Sequence, residues 1–241
     1  MNPEHAKLLA EIRGAARPTS PERHGNDSFG GSERPFYFAS VPARRAIARR
    51  WLAANRAMAP KTFLAVVESL FNGESHEEKT MASLLLGYHG GARQDVRPAD
   101  VERWLGLLNG WAEVDSLCQS VFTAPEMANG WPDWRRLIER LSQDANINKR
   151  RAALVLLTGP VQHTDDPRFR DLALTMLERL KAEWPILITK AVSWLLRAMV
   201  ARHRGAVIAY LAEHGPSLPA IAVRETRTKL ATGVKSGRPR A

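Results

Sequence analysis

The chain has one cysteine, Cys118, in 241 residues, so no disulfide can form within it. It also lacks a CxxC pair and any Cys/His cluster at zinc spacing, which leaves a structural zinc site without its usual ligands. A reducing compartment is the expected setting. Long apolar runs are missing as well: the longest, such as residues 152–157 and 191–196, fall far short of the roughly 20 residues that a membrane span requires. The first residues, MNPEHAKLLAEIRG, mix acidic with apolar side chains where a signal peptide would be continuously hydrophobic. A soluble, cytoplasmic protein without membrane contact is therefore expected. A P-loop, a GxGxxG run and an HExxH motif are absent too, so nucleotide hydrolysis, dinucleotide redox chemistry and zinc proteolysis lack their signatures.

What is abundant is positive charge: 35 Lys and Arg against 25 Asp and Glu give a net charge of +10 and a pI near 10.3. Such a balance favours a polyanionic partner, with nucleic acid the first candidate and a merely solvated basic surface the alternative. With 44% hydrophobic residues, the composition is that of a folded protein with a substantial core.

Apolar residues recur three and four apart from about residue 43 onward, without sustained alternation, so the chain reads as all-α. Helices are expected at Pro42–Asn55, Pro60–Phe71, His76–Leu86, Pro98–Leu108, Val114–Phe122, Pro132–Leu141, Lys149–Leu157, Pro167–Ala182, Pro185–Val200, His203–Glu213 and Leu218–Leu230. Six of them open on proline, which fits the first helical turn because its missing N–H has no partner there. Short polar linkers make successive helices antiparallel neighbours, and helix pairs of roughly 35–45 residues suggest degenerate HEAT-like repeats. A compact helical bundle is the competing architecture. Residues 1–35 read as a short helix followed by a flexible loop, 36–230 as the repeat domain and 231–241 as a basic flexible tail.

Basic residues recur from unit to unit, as Arg44/Arg45/Arg49/Arg50, Arg135/Arg136, Lys149/Arg150/Arg151, Lys190/Arg197 and Arg202/Arg204. In a solenoid such recurrence would line one face and follow the phosphates of a duplex. The alternative is a set of exposed helix faces paired with residues such as Glu102, Glu139 and Glu178.

One constellation is suited to chemistry. Trp111 and Asp115 stand four apart, which on a helix places an aromatic plane beside a carboxylate, and such a pair stabilises a cation from two sides. Trp194 could serve the same groove. Core packing for the tryptophans and a surface or capping role for Asp115 are the alternatives. His76-Glu77-Glu78 has no partner cluster to make a metal site, and its acidic pair suits a helix N-terminus. Cys118 reads as a small buried hydrophobe. No metal and no organic cofactor is expected.

In order and spacing, several segments together resemble the AlkD-like DNA alkylation repair family of HEAT-repeat DNA glycosylases. They are FASVPARR at 38–45, His76-Glu77-Glu78-Lys79, WAEVD at 111–115, KRRAA at 149–153 and KAVSWLLR at 190–197, and the resemblance covers residues 36–230. It implies a right-handed superhelical solenoid of HEAT-like antiparallel helix pairs with a basic cleft for duplex DNA. It also implies hydrolytic excision of cationic alkylated purines, 3-methyladenine and 7-methylguanine, leaving an abasic site.

By the same resemblance Trp111, Asp115 and Trp194 would be the catalytic-site residues and Arg150 or Arg151 would hold the DNA backbone; the recurrence of basic residues adds Arg44, Arg45, Lys190 and Arg197 as expected phosphate contacts. The partner would be duplex DNA carrying alkylated purines, bound by a monomer, and the family is associated with catalysis without base flipping. This chain departs from the family pattern in having Asn148-Lys149 where a tryptophan often precedes the paired arginines, Ala39 or Ser40 where glycine precedes Val41, and Arg197-Ala198 for Arg-Glu. A non-catalytic DNA-binding repeat protein and a helical protein-interaction scaffold are the alternative functions.

Overall fold

Proline and short polar caps set the helix starts in this chain. The computed structural model describes residues 1–17, 34–120 and 122–235. Among them are α1 (Pro3–Gly14), α2 (Val41–Ala54), α3 (Pro60–Phe71), α4 (His76–Tyr88), α5 (Gly90–Arg93), α6 (Pro98–Leu105) and α7 (Gly110–Ser120). They are followed by α8 (Ala124–Asn129), α9 (Trp131–Leu141), α10 (Ile147–His163), α11 (Pro167–Leu180), α12 (Ile186–Met199), α13 (Arg204–His214), a 3-10 turn (Gly215–Ser217) and α14 (Ala220–Thr232). No strand occurs among the described residues. Pro60, Pro98 and Pro167 are the first residues of their helices and Pro42 and Pro132 the second. Ser75 and Glu78 cap α4 reciprocally, side chain to backbone in both directions.

Three local outcomes differ from the sequence reading. α7 begins at Gly110, four residues before Val114, because Gly110 adopts φ 76°, a left-handed conformation that glycine takes at little cost. α10 runs on past Leu157 and through Pro160 to His163. A proline inside a helix costs about 3 kcal/mol, yet residues 151–158 are buried without interruption, and packing on α11 and α12 holds the helix to its course. The short α5 and α8 were not expected, since neither is long enough to show an apolar period. α8 does carry a capping box, Thr123 with Glu126.

The chain divides into two compact units, Met1–Phe122 and Thr123–Ala241. In the first, α2, α4 and α7 form a row in which each helix packs on the next, α3 packs on α4, and α1 packs on α2 and α3. Phe63, Val66, Leu70, Phe71, Met81 and Leu85 fill its centre. α6 joins α3 through the stack of Trp104 on Phe71, 4.7 Å between centroids. In the second unit α10, α12 and α14 form the row, α8, α9 and α11 pack on α10, and α13 packs on α12. Leu154, Leu157, Phe169, Met176, Val192 and Leu195 are buried there. This is an all-α helical-repeat fold. The loop expected over 17–35 falls, for residues 18–33, outside the described residues, as does the tail beyond residue 235. No described helix is long and apolar enough to cross a membrane.

Candidate functional site

The start of α7 is fixed by a carboxylate under it. Glu113, 1% exposed, accepts a hydrogen bond from the Asn109 backbone N–H at 2.8 Å. Its other oxygen lies 3.3 Å from His76 Nδ1, and Arg34 Nε is 3.4 Å from the first. With Glu113 held inward, Val114, Leu117 and Cys118 are buried on the same side. Trp111, 48% exposed, and half-buried Asp115 and Ser116 emerge on the other. The tryptophan and the carboxylate thus stand one turn apart on the accessible face of an otherwise buried helix.

Beneath α7 lies a buried polar layer that α4 supplies. His76, Glu77, Glu78 and Lys79 are all at most 2% exposed. Each holds a different segment in place: His76 stacks on Phe36, Glu77 accepts from the Tyr37 backbone N–H, and Lys79 donates to the Phe71 carbonyl at the end of α3. Glu78 receives His5 Nε2 at 2.7 Å as well as the Ser75 backbone and hydroxyl. Burial alone would push its pKa up, but the hydrogen bonds from His5 and Ser75 outweigh that and hold it at about 2. Burial together with the charge of Arg34 brings Lys79 down to about 8.

The two arginines of α2 have opposite fates. Arg44 is 7% exposed and donates to the Thr80 hydroxyl, so it ties α2 to α4. Arg45 and Arg49 lie on the exposed face, and the Arg49 guanidinium sits over the Tyr88 ring, 5.3 Å from its centroid. The same split recurs on α10. Arg151 is buried and donates to the Leu187 carbonyl at 2.5 Å, fastening α10 to α12. Arg150 keeps a solvent edge while Nε and Nη2 grip Glu183 at 2.8 and 3.1 Å and Nη1 donates to the carbonyls of Asp144 and Ala145.

α12 is enclosed almost all round. Its accessible residues are Ile186, Leu187, Lys190, Trp194 and Arg197, and Ile186, Lys190, Trp194 and Arg197 follow one another at helical spacing along a single stripe. From α14, Glu225 accepts from Ser193 at 2.7 Å and lies 3.3 Å from Arg197 Nε, so the residues flanking Trp194 are anchored. Glu113, His76, Glu183 and Glu225 were not singled out as members of the site by sequence, because each acts through a partner more than 30 residues away.

Cations differ from helix to helix in whether a carboxylate partners them, and Lys61 on α3, Arg179 on α11 and Arg204 on α13 are exposed with no carboxylate partner among the described residues. On α6, α9 and α11, Arg103, Arg135, Arg136, Arg168 and Arg170 are neutralised by carboxylates, chiefly on their own helices. On α2, α12 and α14, Arg45, Arg49, Lys190, Arg224 and Arg227 are exposed, with no carboxylate partner among the described residues. Arg50, Lys149, Arg150 and Arg197 on α2, α10 and α12 are paired with carboxylates. Within each unit, exposed cations without a carboxylate partner attract a polyanion. Among the described residues no group of three or more His, Cys, Asp or Glu is placed to hold a metal ion.

A family model described as DNA alkylation repair enzyme matches residues 8–230. A solved structure described as a predicted DNA alkylation repair enzyme from Enterococcus faecalis has a similar fold, with a TM-score of 0.67 at 19% sequence identity, covering 95% of this chain and 96% of that one. No curated protein matches the chain.

Proposed function

Because the chain belongs to the DNA alkylation repair enzyme family, we propose that it is a monofunctional DNA glycosylase acting on cationic alkylated purines, 3-methyladenine and 7-methylguanine, in duplex DNA. Alkylation at N3 or N7 places a positive charge on the base, which then leaves without protonation by a general acid. The bond between the sugar C1′ and the purine nitrogen breaks, its electron pair departs with the base and neutralises it, and the deoxyribose acquires oxocarbenium character. Water adds at C1′ and loses a proton, giving free base and an abasic site. Nothing but water is consumed.

The observation that carries this reading is the emergence of Trp111 and Asp115 one turn apart from a helix whose other side is locked by Glu113. Asp115 offsets the charge that develops on the sugar and orients the incoming water. Trp111 contacts the electron-poor sugar and excludes solvent, and the family resemblance assigns Trp194 the same role. Arg45, Lys190 and the solvent edge of Arg150 contact phosphates; the buried Arg44 and Arg151 support them from behind. The protein works as a monomer in the cytoplasm on nucleoid DNA. The unpaired cations of α2, α12 and α14 serve equally a protein of this fold that binds duplex without turnover. Release of free 7-methylguanine from methylated duplex separates the two: a glycosylase releases it, whereas salt-sensitive binding with no release at protein excess refutes the enzymatic reading.

A further inference from the structure

Tryptophan has more apolar surface to lose to water than most side chains, and a folded chain seldom leaves one fully in solvent without a partner for it. Trp184 is 91% exposed, the highest value among the large hydrophobic side chains described, and Ile186, two residues on, is 58% exposed. The segment that carries them is held at both ends. Glu183, immediately before, clamps Arg150 through both carboxylate oxygens, and its own N–H donates to the Leu180 carbonyl at 3.1 Å. Pro185, immediately after, opens α12 with φ −54°. A rigid turn therefore presents two apolar side chains to water.

These two residues continue the accessible stripe of α12, in which Ile186, Lys190, Trp194 and Arg197 share one face. Lys190, one turn from Ile186, is exposed and has no carboxylate partner among the described residues. Such a cation beside an apolar patch favours a polyanion with apolar faces over an apolar protein surface. A rise of about 1.5 Å per residue puts Ile186 about 12 Å from Trp194 along α12, within about four base-pair steps of 3.4 Å.

We infer that Trp184 and Ile186 form an apolar DNA contact that packs on the sugar and base edges of nucleotides flanking the lesion. Lys190 takes the adjacent phosphate, and together they fix the register of the strand on Trp194. Trp184 is a positioning residue, not a catalytic one. The inference rests on the reading of duplex DNA as the ligand, and it concerns binding rather than base release.

The test uses the full chain and an unmodified duplex oligonucleotide, with dissociation constants measured over a range of salt for the wild type, Trp184→Ala, Trp184→Phe and Lys190→Ala. Trp184→Ala should weaken binding about tenfold with an unchanged salt slope, since an apolar contact releases no counterion, and Trp184→Phe should recover most of the loss. Lys190→Ala should instead lower the slope by about 0.9. Because Trp184 makes little burial, the Ala variant should keep the wild-type melting temperature, so lost affinity is not lost folding. Binding by Trp184→Ala within about twofold of wild type at every salt concentration overturns the inference, as does a change confined to self-association. Weakened binding alongside absent base release would leave the inference standing and remove the glycosylase reading. Base release with binding indifferent to Trp184 would do the reverse.

Discussion

His76 Nδ1 lies 3.3 Å from Glu113 Oε1, both side chains almost wholly buried, and this contact joins the first turn of α4 to the first turn of α7. Glu113 also accepts from the Asn109 N–H, so the pair sets where α7 begins and hence where Trp111 and Asp115 emerge. Glu113→Ala leaves an imidazole, a guanidinium and a backbone N–H facing a cavity. Chemical denaturation should show a loss on the order of 3 kcal/mol, and Glu113→Gln, which keeps the shape and one acceptor oxygen, should lose less. A Glu113→Ala variant as stable as wild type would contradict the assignment.

Acid should weaken the first unit through Glu78. A carboxyl whose pKa falls on folding from 4.5 to about 2 binds its proton more weakly in the native state. Its contribution is therefore complete above pH 4.5 and lost as the pH falls toward 2. The expected loss is on the order of 3 kcal/mol over that window. Stability against pH should be flatter for Glu78→Gln between pH 4.5 and 2 than for wild type. Parallel curves would show that the contacts of Glu78 with His5 and Ser75 contribute nothing through its charge.

Salt dependence of duplex binding should separate the unpaired cations from the paired ones. Arg45→Ala should reduce the slope of log affinity against log salt by about 0.9, the share of one phosphate contact. Arg103→Ala on α6, whose guanidinium is held by Glu68 and Asp100, should leave the slope unchanged. Equal effects of the two substitutions would mean that diffuse net charge, not the α2 face, attracts the DNA.

Trp111, being half in solvent, should be removable without loss of fold. Trp111→Ala is expected to keep the wild-type melting temperature within about 2 °C while single-turnover base release slows by about tenfold or more. A fall in stability with unchanged release would place Trp111 in the core instead.

Much of this was legible from residue pattern. Proline at positions 60, 98 and 167 marked helix starts because its geometry is local, and the spacing of Trp111 and Asp115 put them on one face because helical period is local too. Which of two adjacent arginines is buried was not legible. Arg44 and Arg45, like Arg150 and Arg151, differ by about 100° around a helix, and only the partner helix decides: Thr80 takes Arg44 and the Leu187 carbonyl takes Arg151. The run His76-Glu77-Glu78-Lys79 suited a helix N-terminus, and Glu78 does cap α4, but its burial against His5, Tyr37, Phe71 and Glu113 depends on segments distant in sequence. The helix expected to end at Leu157 instead continues through Pro160 to His163, because the stretch 151–158 is buried on neighbouring helices.

The central claim is that Asp115 stabilises the sugar as the cationic base departs. Its most direct test is the single-turnover rate of 7-methylguanine release from a methylated duplex by wild type and by Asp115→Asn, with duplex affinity measured for both. Wild type should release the base, and Asp115→Asn should release it at a rate lower by about two to three orders of magnitude, with affinity within about twofold of wild type. Release at the wild-type rate by Asp115→Asn would contradict that claim.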